Sequence, residues 1–147
     1  MKLINGETVN LKEFCDGKAA VVMLVSHNPM EPQRFKELSH LALSYDDMKV
    51  LAVPAGGIFN EEPLDNREIL DVYSQLGCFV PITEKMTVNG RNRAPVLKYL
   101  FECSVFGDHA LPQPWWGFLV DKEGHVRAFF NTKKEWLARL AQDIETM

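Results

Sequence analysis

Residues 19–33 read AAVVMLVSHNPMEPQ, and this stretch decides the fold. Its first seven residues are apolar, rich in β-branched side chains and of strand length, which predicts a strand buried on both faces. Pro32 suits the first turn of a helix. The apolar residues that follow recur at helical spacing, at Phe35, Leu38, Leu41, Ala42 and Tyr45. The stretch therefore predicts a strand that passes through a turn, which contains Asn28, into a helix.

The rest of the chain continues the alternation of strands and helices. The patterns predict a small hairpin over residues 2–9, strands over 20–26 and 49–54, a helix over 95–101, and a second hairpin formed by 117–121 and 125–130. Asp65 and Glu68 have the spacing of a capping box before a helix, and Thr132 and Glu135 repeat that spacing before a last helix. We expect one α/β domain over residues 1–147, with a central mixed sheet and helices on both faces.

Five stretches of the chain resemble the glutathione peroxidase family, and they occur in the family's own order. They are GETVNLKEF (6–14), SHNPMEPQ (26–33), VLAVP (50–54) with NEEP (60–63), VNGRNRAPVLKYL (88–100) and FLVDKEG (118–124). The fourth stretch is the most specific of the five. The resemblance covers most of the chain and implies a thioredoxin-like fold. It also implies reduction of hydroperoxides by a cysteine or selenocysteine in the turn after the first long strand.

The position of that nucleophile is occupied by Asn28 in this chain. A helix N-terminus stabilises a thiolate through its dipole and its unpaired N–H groups. An amide has no ionisable nucleophile, so this chemistry does not carry over. The family's catalytic glutamine position is occupied by Gly57, since the stretch AGGIF replaces the family's C-N-Q-F signature.

The family's catalytic tryptophan and asparagine belong to a W-N-F segment whose alignment here has two registers. Counted back from Phe118 without gaps, the segment falls on Gln113, Pro114 and Trp115. With a two-residue deletion, the tryptophan falls on Trp115 and the asparagine on Trp116. The asparagine is absent in either register.

Composition excludes several other classes of function. The formal net charge is −4, which disfavours nucleic acid as a partner. No segment approaches the roughly 20 apolar residues of a membrane span, and the first residues lack the features of a signal or transit peptide. We expect a cytoplasmic protein by default, with an organellar location left open, and no cofactor.

Three cysteines, Cys15, Cys78 and Cys103, lie far apart and form no Cys-x-x-Cys pair. Cys78 falls in a loop and is predicted to be the most exposed thiol. A relocated peroxidatic cysteine would need access and a lowered pKa, and Cys78 is the candidate. A structural free cysteine is the commoner interpretation of each.

The four histidines lack metal-ligand spacing, and no metal site is predicted. They are His27, His40, His109 and His125. His27 flanks the turn and either faces the old pocket or is a solvated turn residue.

Trp115 and Trp116 lie beside prolines in the stretch LPQPWWG. Because tryptophan is enriched at interface hot spots, the pair is a candidate exposed interface. The alternative is that at least one ring packs in the core.

Three hypotheses of function remain. The first is a non-catalytic glutathione-peroxidase-like protein that serves as a structural or interaction subunit, with a protein partner or a larger assembly. The second is a divergent thiol peroxidase or oxidoreductase that uses a relocated cysteine such as Cys78. The third is small-molecule binding in the vestigial pocket. We favour the first, because the residues of the site contradict the activity that the fold alone would suggest.

Overall fold

The computed structural model describes residues 1–29, 31, 33–107 and 109–147. Ten helices and strands follow one another along these described residues. In order they are α1 (Leu11–Cys15), β1 (Ala19–Val25), α2 (Arg34–Ser44), β2 (Met48–Gly56), α3 (Asn66–Gln75), β3 (Met86–Thr87), α4 (Pro95–Glu102), β4 (Trp116–Val120), β5 (Val126–Asn131) and α5 (Trp136–Glu145).

The strands form one mixed five-stranded sheet in the order β3-β2-β1-β4-β5. Strand β1 is central, running parallel to β2 and antiparallel to β4. Strand β2 pairs in parallel with β3, and β5 is an antiparallel edge strand beside β4. The predicted α/β class with a central mixed sheet is confirmed.

Side chains of β1 point alternately to two cores, one on each face of the sheet. Val21, Met23 and Val25 join the core under α2, α3 and α5. Val22 and Leu24 join the core under α4, against which α1 also packs. The apolar stretch of β1 is therefore buried on both faces, as its composition predicts.

Helix α3 begins as predicted. The Asp65 side chain accepts hydrogen bonds from the backbone of Arg67 and Glu68, and the Glu68 side chain reaches back to the Asp65 N–H. This capping box satisfies N–H groups that a helix leaves unpaired at its start.

The predicted cap of the last helix is wrong. Helix α5 has Glu135 at its N-cap in the left-handed conformation (φ 64°), without a side-chain hydrogen bond. The Thr132 hydroxyl instead contacts Arg34 and the Trp115 carbonyl. The local spacing predicts that this hydroxyl caps the helix, but it forms tertiary hydrogen bonds instead.

The start of α2 lies later than expected, at Arg34. The predicted role of Pro32 falls outside the described residues. Across the described ranges, no helix is long and apolar enough to cross a membrane.

Candidate functional site

An open cleft of about 440 Å³ lies at the end of β1, where the chain turns toward α2. Parallel strands β1 and β2 end at the same edge of the sheet, so the turn after β1 and the loop after β2 meet there. Two further segments, just before β4 and just after β5, complete the walls. The described residues that line the cleft are Ser26, His27, Asn28, Glu31, Arg34, Asn60, Glu61, Pro63, Gln113, Pro114, Trp115, Thr132 and Lys133.

Asn28 lies in this cleft on an exposed part of the turn. Its backbone carbonyl accepts a hydrogen bond from the Glu31 N–H at 3.0 Å. The side-chain amide can donate and accept hydrogen bonds but cannot ionise. The position that the sequence compares with the family's nucleophile is therefore accessible and non-nucleophilic.

Trp115 forms a wall of the cleft and is only 7 % exposed. Its backbone N–H donates to the Leu24 carbonyl at 2.7 Å, and its indole Nε1 donates to the Ser26 carbonyl at 3.2 Å. Its ring meets Phe35 edge-on, with 5.2 Å between ring centroids. These contacts hold a bulky residue at φ 69°, a left-handed conformation that is strained for any residue but glycine.

Arg34 joins two sides of the cleft. Its Nε and Nη2 donate to the two carboxylate oxygens of Glu31, at 2.6 and 3.1 Å. Its Nη1 donates to the Thr132 hydroxyl, and its guanidinium lies 5.2 Å from the centroid of the Trp115 ring. The hydrogen bond from Arg34 lowers the pKa of the Glu31 carboxyl. The Glu31 carboxylate is therefore charged at neutral pH, and its negative charge is balanced by the Arg34 guanidinium.

A buried carboxylate, Glu62, holds the loop after β2 against the turn after β1. Glu62 is 1 % exposed and accepts hydrogen bonds from the Tyr73 hydroxyl, from the His27 N–H at 2.6 Å and from the Leu64 N–H at 3.1 Å. Burial, and then the charge of Glu62, raise the pKa of Tyr73, which stays protonated and donates. Sequence reasoning missed this network. The only signal was the acidic residue before Pro63, which resembles the family's E-P.

Gly57, which the sequence analysis compares with the family's glutamine, is exposed and has φ 67°. Its N–H donates to a carboxylate oxygen of the neighbouring Glu61 at 2.7 Å. A glycine lacks a side chain that could reach the cleft, and Glu61 lines the wall instead.

Of the residues that the two registers of the W-N-F segment involve, Gln113, Pro114 and Trp115 all line the cleft. Trp116 lies on the opposite face of the sheet, half-buried and stacked on Phe129 with ring centroids 4.8 Å apart. The expectation of an exposed pair of tryptophans is therefore wrong for Trp115, which is buried, whereas Trp116 is partly exposed on another face. The alternative, that at least one ring packs in the core, is confirmed by Trp115.

The prediction that Cys78 is the most exposed thiol is also wrong. Cys78 is buried (3 % exposed), Cys15 is half-buried and Cys103 is exposed. Burial raises the pKa of Cys78 to about 11 and also raises the pKa of Cys15. The described residues that line the cleft include no cysteine. Cys78 therefore has neither the access nor the lowered pKa that a peroxidatic thiol needs.

We expect native protein treated with iodoacetamide at pH 8 to be alkylated first at Cys103 and at least tenfold more slowly at Cys78. With a pKa near 11, about one Cys78 in a thousand is a thiolate at pH 8. Raising the pH toward 11 increases that fraction, so any reaction at Cys78 should accelerate with pH. Peptide mass spectrometry of timed samples measures both rates. Equal rates in native protein would contradict the buried position, and equal rates in denaturant are the control.

Away from the cleft, the turn between β4 and β5 gathers the ligand atoms of Asp121, Glu123 and His125 within 4.8 Å of one another. The spacing of the histidines did not predict this group. Asp121 already accepts hydrogen bonds from the Glu123 and His125 N–H groups and lies 3.4 Å from the Arg127 guanidinium. Its carboxylate is thus engaged within the turn.

Comparison with known proteins identifies the family of the chain. The family model described as glutathione peroxidase matches residues 1–101. The chain is 32 % identical over 131 residues to a probable phospholipid hydroperoxide glutathione peroxidase of Mesembryanthemum crystallinum, covering 86 % of this chain and 76 % of that protein. It is 34 % identical over 131 residues to the glutathione peroxidase homolog BsaA of Halalkalibacterium halodurans, covering 85 % and 82 %.

Solved structures show the same fold. The crystal structure of Trgpx in its apo form superposes with a TM-score of 0.70 at 18 % identity, covering 98 % of this chain and 89 % of that one. The crystal structure of T. cruzi GPX1 superposes with a TM-score of 0.69 at 19 % identity, covering 99 % and 88 %. At these identities the likeness establishes the fold alone.

Proposed function

The chain belongs to the glutathione peroxidase family, and from that premise we propose that it is a non-catalytic member, a single domain that serves as a structural or interaction subunit through protein–protein contacts. One observation carries the proposal. No described residue that lines the cleft is a cysteine, and buried Trp115 forms part of its wall. Asn28, which the sequence comparison aligns with the family's nucleophile, lies in the same cleft. A peroxidase of this kind needs a thiolate or selenolate to attack the O–O bond.

The alternative function, hydroperoxide reduction by a relocated thiol, has less support from the positions of the cysteines. Cys78 is buried with its pKa raised by burial. Cys103 is exposed but lies at the end of α4, outside the residues that line the cleft.

The exposed apolar residues of the surface support a role in protein–protein contacts. Several large apolar side chains are highly exposed, namely Leu43 (83 %), Phe59 (76 %), Phe79 (81 %) and Val105 (99 %). Single exposed apolar residues are normal on a protein surface. Phe59, however, directly precedes the cleft residues Asn60 and Glu61, which makes the rim of the cleft the best candidate contact.

A coupled peroxidase assay tests the proposal. We expect no turnover of hydrogen peroxide or of a phospholipid hydroperoxide, the substrate class in the name of the Mesembryanthemum relative, with either glutathione or thioredoxin as reductant. The triple variant Cys15→Ser, Cys78→Ser, Cys103→Ser should behave like the wild type, because none of these thiols lines the cleft.

The matched control is Asn28→Cys, which places a thiol at the turn itself. Peroxide consumption by this variant and not by the wild type would assign the inactivity to the missing nucleophile. Robust wild-type turnover that disappears in the triple variant would overturn the non-catalytic proposal in favour of a relocated thiol.

A further inference from the structure

Two of the segments that line the cleft each present a primary amide. Asn60 lies on the loop after β2, and Gln113 lies on the segment before β4; both are exposed and both line the cleft. Within the described part of the chain, neither side-chain amide takes part in a hydrogen bond. Each amide offers two donors and one acceptor, so the walls can bind a ligand that carries donors and acceptors alternately.

The same cleft contains a buried polar atom that lacks a partner in the described part of the chain. His27 lines the cleft, and its Nδ1 is buried without a hydrogen bond to any described residue. The backbone N–H of His27 is held separately by Glu62 at 2.6 Å. Buried polar atoms are nearly always hydrogen-bonded, so one without a partner among the described residues points to a group supplied from outside.

The charges of the cleft do not favour an ionic ligand. Glu31 is paired with Arg34 through two hydrogen bonds, and Glu61 accepts from the Gly57 N–H. The lining carries two negative charges, on Glu31 and Glu61. It also carries two positive charges, on Arg34 and Lys133, so its formal charges balance. Recognition by amides and an imidazole in a balanced cleft suits a neutral, hydrogen-bonding ligand.

A small drug-like molecule fits this cleft less well than a chain does. Small-molecule sites are mostly apolar and enclose their ligand. Here the lining residues Asn60, Glu61, Gln113 and Lys133 are exposed, and Phe59, next in the chain to Asn60, is 76 % exposed. An extended chain can run along an open cleft and place an apolar side chain against Phe59.

We propose that the cleft binds an extended, uncharged peptide segment of a partner protein, chiefly through the segment's main chain. Peptide N–H and C=O groups alternate along such a segment, and they match the amides of Asn60 and Gln113 and the free Nδ1 of His27. This inference rests on the proposed function and names the kind of partner segment that the subunit holds.

The test selects ligands for the full chain from a display library of random linear 12-residue peptides. Selected sequences are then synthesised with a fluorophore, and their affinities are measured by fluorescence anisotropy. We expect Asn60→Ala and Gln113→Ala each to weaken binding by about three- to tenfold, the usual net effect of one lost hydrogen bond. Gln142→Ala removes an exposed amide on α5, outside the cleft, and should leave the affinity unchanged.

Two further comparisons separate main-chain recognition from other contacts. Methylating single backbone nitrogens in the centre of a selected peptide should weaken binding more than replacing the side chain at the same position by alanine. His27→Leu should weaken binding, whereas His27→Asn, which keeps a polar atom near the place of Nδ1, should retain most of the affinity. Circular dichroism and thermal unfolding of every variant confirm that it is folded.

Three outcomes would overturn the inference. The first is a library that yields no peptide with measurable affinity for the wild type. The second is binding that is unchanged by both Asn60→Ala and Gln113→Ala. The third is a wild-type dimer in sedimentation velocity that Gln113→Ala dissociates, which would assign the cleft to a second copy of this chain. Each is independent of the peroxidase assay, so turnover of hydroperoxide overturns the proposed function without deciding whether a peptide binds.

Discussion

Replacing Glu62 by alanine is expected to lower the free energy of unfolding by about 4 kcal/mol. The substitution leaves the Tyr73 hydroxyl and the His27 N–H without their acceptor, and each buried donor without a partner costs about 1–3 kcal/mol. Because small domains are stable by only about 5–15 kcal/mol, the variant should be close to unfolding at 37 °C. Urea denaturation followed by circular dichroism measures the change.

The neighbouring Glu61→Ala is the matched control. Glu61 is exposed and accepts one hydrogen bond, from the Gly57 N–H, so we expect a loss below about 1 kcal/mol. The loss of stability caused by Tyr73→Phe should lie between those of Glu61→Ala and Glu62→Ala. This substitution removes one donor and leaves Glu62 with two others. If Glu61→Ala were as destabilising as Glu62→Ala, the loop after β2 would not be held by the buried carboxylate.

Replacing Trp115 by alanine is expected to cost about 3–5 kcal/mol, the usual range for a large buried aromatic side chain. The ring is 7 % exposed, packs on Phe35 and lies under the Arg34 guanidinium. Its loss would also remove the donor to the Ser26 carbonyl and open the wall of the cleft. Urea denaturation measures the stability, and the decrease in tryptophan fluorescence reports the loss of the buried ring.

Trp116→Ala provides the comparison at the adjacent position. Trp116 is half-buried and stacks on Phe129 at 4.8 Å on the other face of the sheet, so about 1–2 kcal/mol is expected. Trp115→Phe keeps an aromatic ring, so its free energy of unfolding should decrease less than that of Trp115→Ala. A larger effect at Trp116 than at Trp115 would contradict the assignment of Trp115 as the residue that anchors the cleft.

Much of the fold follows from local sequence patterns. The apolar stretch of residues 19–25 forms the central strand, because only a strand covered on both faces can bury every one of its side chains. The capping box of Asp65 and Glu68 forms as predicted, because its partners lie within one turn of the helix. In both cases the decisive interactions are between neighbours in the sequence or follow from hydrophobicity alone.

The errors arise where distant residues compete with local ones. Thr132 has the spacing of a helix cap, yet its hydroxyl contacts Arg34, 98 positions earlier in the chain. Cys78 lies after the end of α3, where a loop residue is usually exposed. It packs instead in the core that contains Tyr73 and Val80, because this loop is held against α2 by the Ser39 hydroxyl.

By itself, the sequence determined the family and the order of the longer strands and helices, from β1 to α5 without α1 and β3, since these depend on residue identity, order and hydrophobic period. Tertiary structure alone decided how the cleft is built. It brought Glu62 under His27, turned Trp115 to the cleft and Trp116 to the opposite face, and buried Cys78 while exposing Cys103. The physical reason is that burial and hydrogen-bond partners depend on which distant segments pack together, and no local pattern contains that information.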